Sequence, residues 1–103
     1  MSTKVVFSPQ ARAQARAAAI WCREHRPAAP ALFAMELRAA LMRLAAAPAL
    51  GAPYRRRGVP DVRRLLLSAS RYHLYYTYED RSDEIEVLAV WSAVRGRRAP
   101  LAR

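Results

Sequence analysis

The apolar residues of this chain change their period about halfway along, and that change sets most of what it can fold into. From Pro9 to Pro48 they recur at helical spacing; beyond Asp61 they fall into three short runs. The first helix opens at Ser8-Pro9, a side-chain N-cap followed by a residue whose fixed φ suits the first helical position. Ala11, Ala15, Ala18, Ala19 and Cys22 form its apolar face. Arg12, Arg16, Arg23 and Arg26 fall on a separate stripe; Arg12, Arg16 and Arg23 read as a solvated face, with contact to a protein partner as the alternative. Ile20 and Trp21 widen the apolar surface on the other flank, so the helix is expected to pack on two sides. Pro27 ends it. Pro30 opens a second helix, with Phe33, Leu37, Ala40, Leu41 and Leu44 turned inward and Leu32, Met35 and Met42 broadening that face. Glu36 and Arg43 share its opposite face. Pro48 closes the helix, because the residue before a proline is pushed out of the helical region. The short link makes the pair an antiparallel hairpin.

The strands are shorter. Thr3 to Ser8 reads as one, with Val5 and Phe7 on the same side. Ala49 to Asp61 has no period and reads as a loop; it carries two glycines, two prolines and the run Tyr54-Arg55-Arg56-Arg57. Val62 to Ser68, Arg71 to Tyr78 and Glu84 to Trp91 are three further strands. The links between them are too short for a parallel crossover, so they make an antiparallel meander. Alternation sets Tyr72, Leu74, Tyr76 and Tyr78 toward the core and leaves Tyr75 as the outward tyrosine. It also sets Ile85, Val87, Ala89 and Trp91 on one face, with Trp91 in the core or at its rim. The expectation is an α+β chain of order β-α-α-β-β-β. Residues 1–103 form a single domain, an antiparallel sheet covered on one face by the helical hairpin and joined by the first strand, with a basic tail over 92–103. Gly96 lets that tail bend, and Pro100 and Leu101 imply that it folds back.

Charge narrows the function. Eighteen Lys and Arg stand against eight Asp and Glu, a net charge of +10, and every cation but Lys4 is arginine. A GC-rich composition accounts for arginine in place of lysine but not for the excess. Arginine's planar fork suits phosphates and carboxylates, so a polyanion or an acidic protein is the expected partner. No apolar run reaches the ~20 residues of a membrane span. The N-terminus lacks a signal peptide's apolar stretch, so export is not expected and a cytoplasmic protein is the expectation. The single cysteine, Cys22, allows no internal disulfide and no cysteine cluster for zinc; no metal or cofactor is expected.

Five segments, VVFSPQARA, LAAAPALGAP, VRRLLL, RYHLYYTY and VLAVWSAVRGRRAPL, in this order and at these separations, resemble the RelE/ParE family of type II toxin–antitoxin toxins from Val5 to Leu101. The resemblance implies a growth-inhibiting, plasmid-stabilising toxin held inactive by a cognate antitoxin. It leaves two branches. RelE-like toxins cut messenger RNA on the ribosome; ParE-like toxins poison DNA gyrase.

Cleaving RNA through its own 2′-hydroxyl needs a base, an acid and cations on the phosphorane. Cations abound, but acid–base groups do not. His25 reads as a solvated helix-end residue and His73 as a half-exposed cross-strand residue. Glu36 reads as helix surface and Glu86 as a strand-edge charge, and no His or Tyr follows Trp91. The favoured reading is therefore a gyrase inhibitor that acts by binding, with no catalytic residue assigned. Arg63, Arg64, Arg71, Arg95, Arg97 and Arg98 are the candidates for contact with the target or with an acidic or amphipathic C-terminal antitoxin segment. Arg63 is as readily structural, pairing with Glu36 or Asp61. The tail arginines would dock on gyrase or its DNA. The alternatives are a ribosome-dependent mRNA endoribonuclease and a non-toxic basic nucleic-acid-binding module.

Overall fold

The computed structural model describes residues 3–94 and 96–101. The elements run β1 (Lys4–Phe7), α1 (Pro9–His25), α2 (Leu32–Ala46), a 3-10 turn (Pro48–Leu50), β2 (Ala52–Pro53), β3 (Arg63–Leu67), β4 (Tyr72–Glu79) and β5 (Glu84–Ser92). The five strands make one sheet in the order β1-β5-β4-β3-β2. Strands β3, β4 and β5 form the expected antiparallel meander. Two features correct the expected topology. Strand β1 lies parallel to β5, Val5 beside Ile85, because the helical hairpin supplies the long crossover that a parallel pair requires. The segment expected to be an unstructured loop contributes β2, which pairs antiparallel with the start of β3.

Helix α1 begins as its sequence dictates. The Ser8 side chain accepts from the amide of Ala11 at 3.0 Å, with Pro9 in the first turn. Helix α2 begins two residues after Pro30 and has no side-chain cap. Both lay their apolar faces on one side of the sheet. Ala11, Ala18, Cys22, Phe33, Ala40 and Leu44 meet Leu67, Leu74, Tyr76, Ile85, Val87 and Val90. The alanines let α1 come close to β5, and the large residues come from α2 and the strands. Each fully buried Leu, Ile or Phe side chain here contributes about 1.5–3 kcal/mol. Met35 and Met42, expected to broaden this face, stand 68% and 71% exposed instead.

The register breaks between Tyr75 and Tyr76. Tyr75 faces Ala89 and Tyr76 faces Val87, so Leu88 is an extra residue on β5, a β-bulge. The bulge is held from α1. The Leu88 carbonyl accepts from Ser8 Oγ at 3.2 Å and from Gln10 Nε2 at 3.3 Å, and Gln14 Oε1 accepts from the Val90 amide at 2.8 Å. The bulge corrects the expected facing of β5. Ile85, Val87 and Val90 pack under the helices, whereas Leu88, Ala89 and Trp91 pack on the opposite side.

That opposite side is also covered. Val59, Val62, Tyr75, Leu88, Ala89 and Ala99 form a second buried cluster, flanked by Tyr54, Trp91 and Leu101. Tyr75 points away from the helices as expected, yet it is only 4% exposed, because the 54–62 loop and the folded-back tail lie over it. Tyr78, expected in the core, is exposed and donates to Asp83 Oδ1 at 2.8 Å.

Candidate functional site

Each candidate arginine has its position set by the strand that carries it. Arg63 and Arg64 are neighbours on β3 and therefore point to opposite faces. Arg63 Nη1 donates to the Gly51 carbonyl at 2.6 Å and to the Ala49 carbonyl at 3.3 Å. It pairs with neither of its expected partners, Glu36 and Asp61, and its role is to fasten the chain leaving α2. Beside it the Tyr76 hydroxyl donates to the Pro48 carbonyl at 2.7 Å and accepts from the Gly51 amide at 2.8 Å. Burial pushes the Tyr76 phenol upward, against the Gly51 amide and the Arg63 charge. A side chain at Gly51 would meet the Tyr76 hydroxyl at 2.7 Å, so only glycine lets this segment close on the ring.

Arg64 lies on the helix-free face, its guanidinium 4.9 Å from the centre of the Tyr54 ring. Tyr54 meets Tyr75 edge-on at 5.1 Å, and His73 meets Tyr75 edge-on at 5.9 Å. Across the ladder His73 sits opposite Trp91. The Trp91 ring lies under Arg97 at 5.9 Å, and its Nε1 donates to the Arg97 carbonyl at 3.1 Å. The structure thus brings Arg64 and Arg97 onto one face with His73 and Tyr75. Burial holds the His73 imidazole below its ordinary pKa and the Arg64 charge adds to the effect, both favouring the neutral ring.

The tail joins this face through backbone carbonyls. Arg56 Nη2 donates to the Ala99 carbonyl at 2.6 Å, and Gln10 Nε2 donates to the Pro100 carbonyl at 2.6 Å. Tyr54 and Arg56 lie in the stretch without period, where the pattern of the sequence gives neither a role. The one sequence signal that could have drawn attention to them was a tyrosine leading three consecutive arginines.

The remaining candidates lie apart or outside. Arg71 is exposed on the β3–β4 turn, at φ 64°, beside a groove of about 710 Å³ that Trp21, Arg26, Tyr72 and Val94 help to line. Arg98 is exposed on the tail. Arg95 lies outside the described residues. Glu36 also departs from expectation. It faces inward across the turn, accepting from the Ala69 amide at 2.8 Å, the Ser70 amide at 2.8 Å and the Ser70 hydroxyl at 2.7 Å. Burial works against its carboxylate, but the Ser70 hydroxyl, the two amides and the Arg26 charge outweigh burial and hold its pKa below the ordinary value. Thus Glu36 is a turn clamp and not a solvated helix residue. His25 stacks on Trp21 at 4.4 Å and bonds the Trp21 carbonyl, at the far end of α1.

Among the described residues no group of three or more His, Cys, Asp or Glu could hold a metal ion, and no helix is long and apolar enough to cross a membrane. A second surface feature lies on the hairpin. It is an apolar trough of about 470 Å³ between the helices, lined by Ala15, Ala19, Phe33, Leu37, Leu41 and Met42 among others, with Arg38 at its edge.

Two helices over a five-stranded, mostly antiparallel sheet make an α+β fold like that of the RelE and ParE toxins. The profile of the ParE toxin of the type II toxin–antitoxin system parDE matches residues 5–96, and the chain belongs to that family. Among solved structures it is similar to the chromosomal ParDE system of P. aeruginosa, with 19% identity over 87% of this chain and 95% of that one and a TM-score of 0.66. The intact RelBE toxin–antitoxin complex of E. coli matches at 22% identity over 90% of this chain and 99% of that one, with a TM-score of 0.62. The isolated E. coli RelE toxin matches at 22% identity over 92% and 88%, also with a TM-score of 0.62. At such identities the likeness is one of fold. No curated relative matches the sequence.

Proposed function

We propose that this toxin arrests growth by binding DNA gyrase through the helix-free face of its sheet, and that a cognate antitoxin holds it inactive in the cytoplasm. The observation that carries this reading is the anchoring of the arginines on that face. Arg64 rests on Tyr54 and Arg97 on Trp91. Guanidiniums packed on rings lose little entropy on binding, as suits a rigid wedge. The membership of the ParE family supports the choice of target.

The antitoxin is an acidic, amphipathic segment. Its apolar side fits the trough between α1 and α2, whose walls are almost wholly aliphatic and aromatic. Its acids answer the excess of ten positive charges. A segment that folds as it binds gives a tight switch that proteolysis of the free antitoxin can reverse.

One observation favours a second reading. His73 lies on the same face as the Arg64 guanidinium, and burial together with that charge holds its imidazole below the ordinary pKa, which favours the neutral ring. A neutral ring can take the proton of a ribose 2′-hydroxyl as its oxygen bonds to phosphorus, and the resulting imidazolium can return that proton to the 5′-oxygen as its bond to phosphorus breaks, while Arg64 and Arg97 hold the charge that develops on the phosphorane.

Two assays with purified protein separate the readings. Inhibition of gyrase supercoiling, undiminished in His73→Ala, supports the first. Ribosome-dependent cleavage of messenger RNA that His73→Ala abolishes, with supercoiling unaffected, replaces it with the second.

A further inference from the structure

We infer that this protein binds the phosphate backbone of duplex DNA directly, through a two-part arginine surface made by the 55–57 loop and the 97–98 tail. The inference uses part of the face proposed above but does not depend on gyrase being the target. The two segments are forty residues apart in sequence, and Arg56 is the strut between them, its Nη2 donating to the Ala99 carbonyl at 2.6 Å. Its second nitrogen, Nη1, is buried without a partner, so this guanidinium serves as a strut and its neighbours serve as contacts. Both segments rest on one apolar patch, where Val59 and Val62 from the loop side and Ala99 from the tail meet Tyr75, Leu88 and Ala89. Gly58, at φ 80°, and Asp61, at φ 59°, bend the loop back onto that patch. Arg55, Arg57, Arg97 and Arg98 are all exposed. On the loop side a concavity of about 540 Å³ is lined by Pro53, Tyr54, the three loop arginines and residues 59–62, with Asp61 as its one acid.

The rings on this face decide which nucleic acid fits. Single strands are held by stacking bases on free aromatic faces. Here Tyr54 lies under Arg64, Tyr75 is buried and Trp91 lies under Arg97. Among the described residues of this face the three large rings are thus taken up, and the half-buried His73 ring meets Tyr75 edge-on, whereas guanidinium forks match phosphate oxygens on a backbone whose bases stay paired. The expected mode is sequence-independent binding by charge and hydrogen bonds to phosphate.

The test is fluorescence anisotropy of a labelled 20-base-pair duplex titrated with the protein, without gyrase, over a series of KCl concentrations. Binding whose log affinity falls linearly with log salt, with a slope of about −3 to −4 for four phosphate contacts, is expected. Substituting Arg55, Arg57, Arg97 and Arg98 by Ala together should weaken binding at least about 100-fold at low salt and flatten that slope. A charge-matched control, Arg12, Arg16, Arg23 and Arg43 to Ala on exposed helix faces, should stay within about threefold of wild type, since it removes no backbone contact. Absence of binding at low salt, an equal loss in both variants, or tighter binding to a 20-nucleotide single strand would each overturn the inference. Duplex binding without gyrase inhibition would leave it standing and refute the gyrase reading. Gyrase inhibition without duplex binding would do the reverse.

Discussion

The two faces of the sheet are built from the same three central strands but by different means. Under the helices the contacts come from two regular elements of strict period, and the buried side chains are almost all hydrocarbon. On the other face the cover is irregular, a loop and a tail held by side chains donating to single carbonyls, with arginines packed over aromatic rings. One face specifies the fold and the other presents charge. Packed arginines thus sit where the cover has no repeating pattern, and the regular elements carry the hydrocarbon core.

The comparison is broken hardest by cutting into the helix face. Phe33 is almost fully buried and packs edge-on to Tyr72 at 5.1 Å. Phe33→Ala should cost about 3–5 kcal/mol, enough to unfold a marginal domain, as read by urea denaturation. Next comes Glu36. Removing its carboxylate takes the charged acceptor from the part-buried Ser70 amide and hydroxyl and from the exposed Ala69 amide, and Glu36→Ala should cost about 1.5–3 kcal/mol by the same method. Its pKa is lowered in the folded protein, so its contribution is present above the carboxyl group's ordinary pKa and fades as pH falls through the lowered one. Acid titration should therefore remove part of the wild-type stability below about pH 4.5, and the Glu36→Ala variant should lack that component. Gly51→Ala drives a methyl into Tyr76 and should cost about 1–3 kcal/mol.

The smallest stability effect belongs to the opposite face. Arg64→Ala should shift stability by no more than about 0.5 kcal/mol, because the residue is exposed. It should instead raise the NMR titration midpoint of His73, since the nearby positive charge is gone while burial continues to hold the midpoint down. An unchanged midpoint would show that burial alone sets it.

The fold could be read from the sequence where periods are strict. Ser8-Pro9, the alanine face of α1, the Phe33 to Leu44 face of α2 and the order of the last three strands follow from spacing and caps alone. The bulge at Leu88 could not be read, because it is stabilised by Ser8, Gln10 and Gln14 from across the chain. That one-residue shift moved Trp91 to the face opposite Val87. The burial of Tyr75 was hidden for a related reason: its cover comes from segments without periodicity. Of the candidate arginines, Arg64 and Arg97 could be found as strand and tail cations. The split between Arg63, which braces carbonyls, and Arg64, which stacks on a ring, depends on where the 49–54 segment returns, and composition carries no signal for that.

Induction of the toxin in growing cells without its antitoxin is the most direct measurement, with wild type compared against a variant in which Arg64, Arg97 and Arg98 are all Ala. Equal protein levels and thermal unfolding midpoints within about 4 °C, the shift for a loss under 1 kcal/mol, would show that the variant is folded. The cationic face as the toxic surface predicts arrest by wild type and unimpaired growth with the variant. Continued arrest by a folded variant at the same level would contradict it.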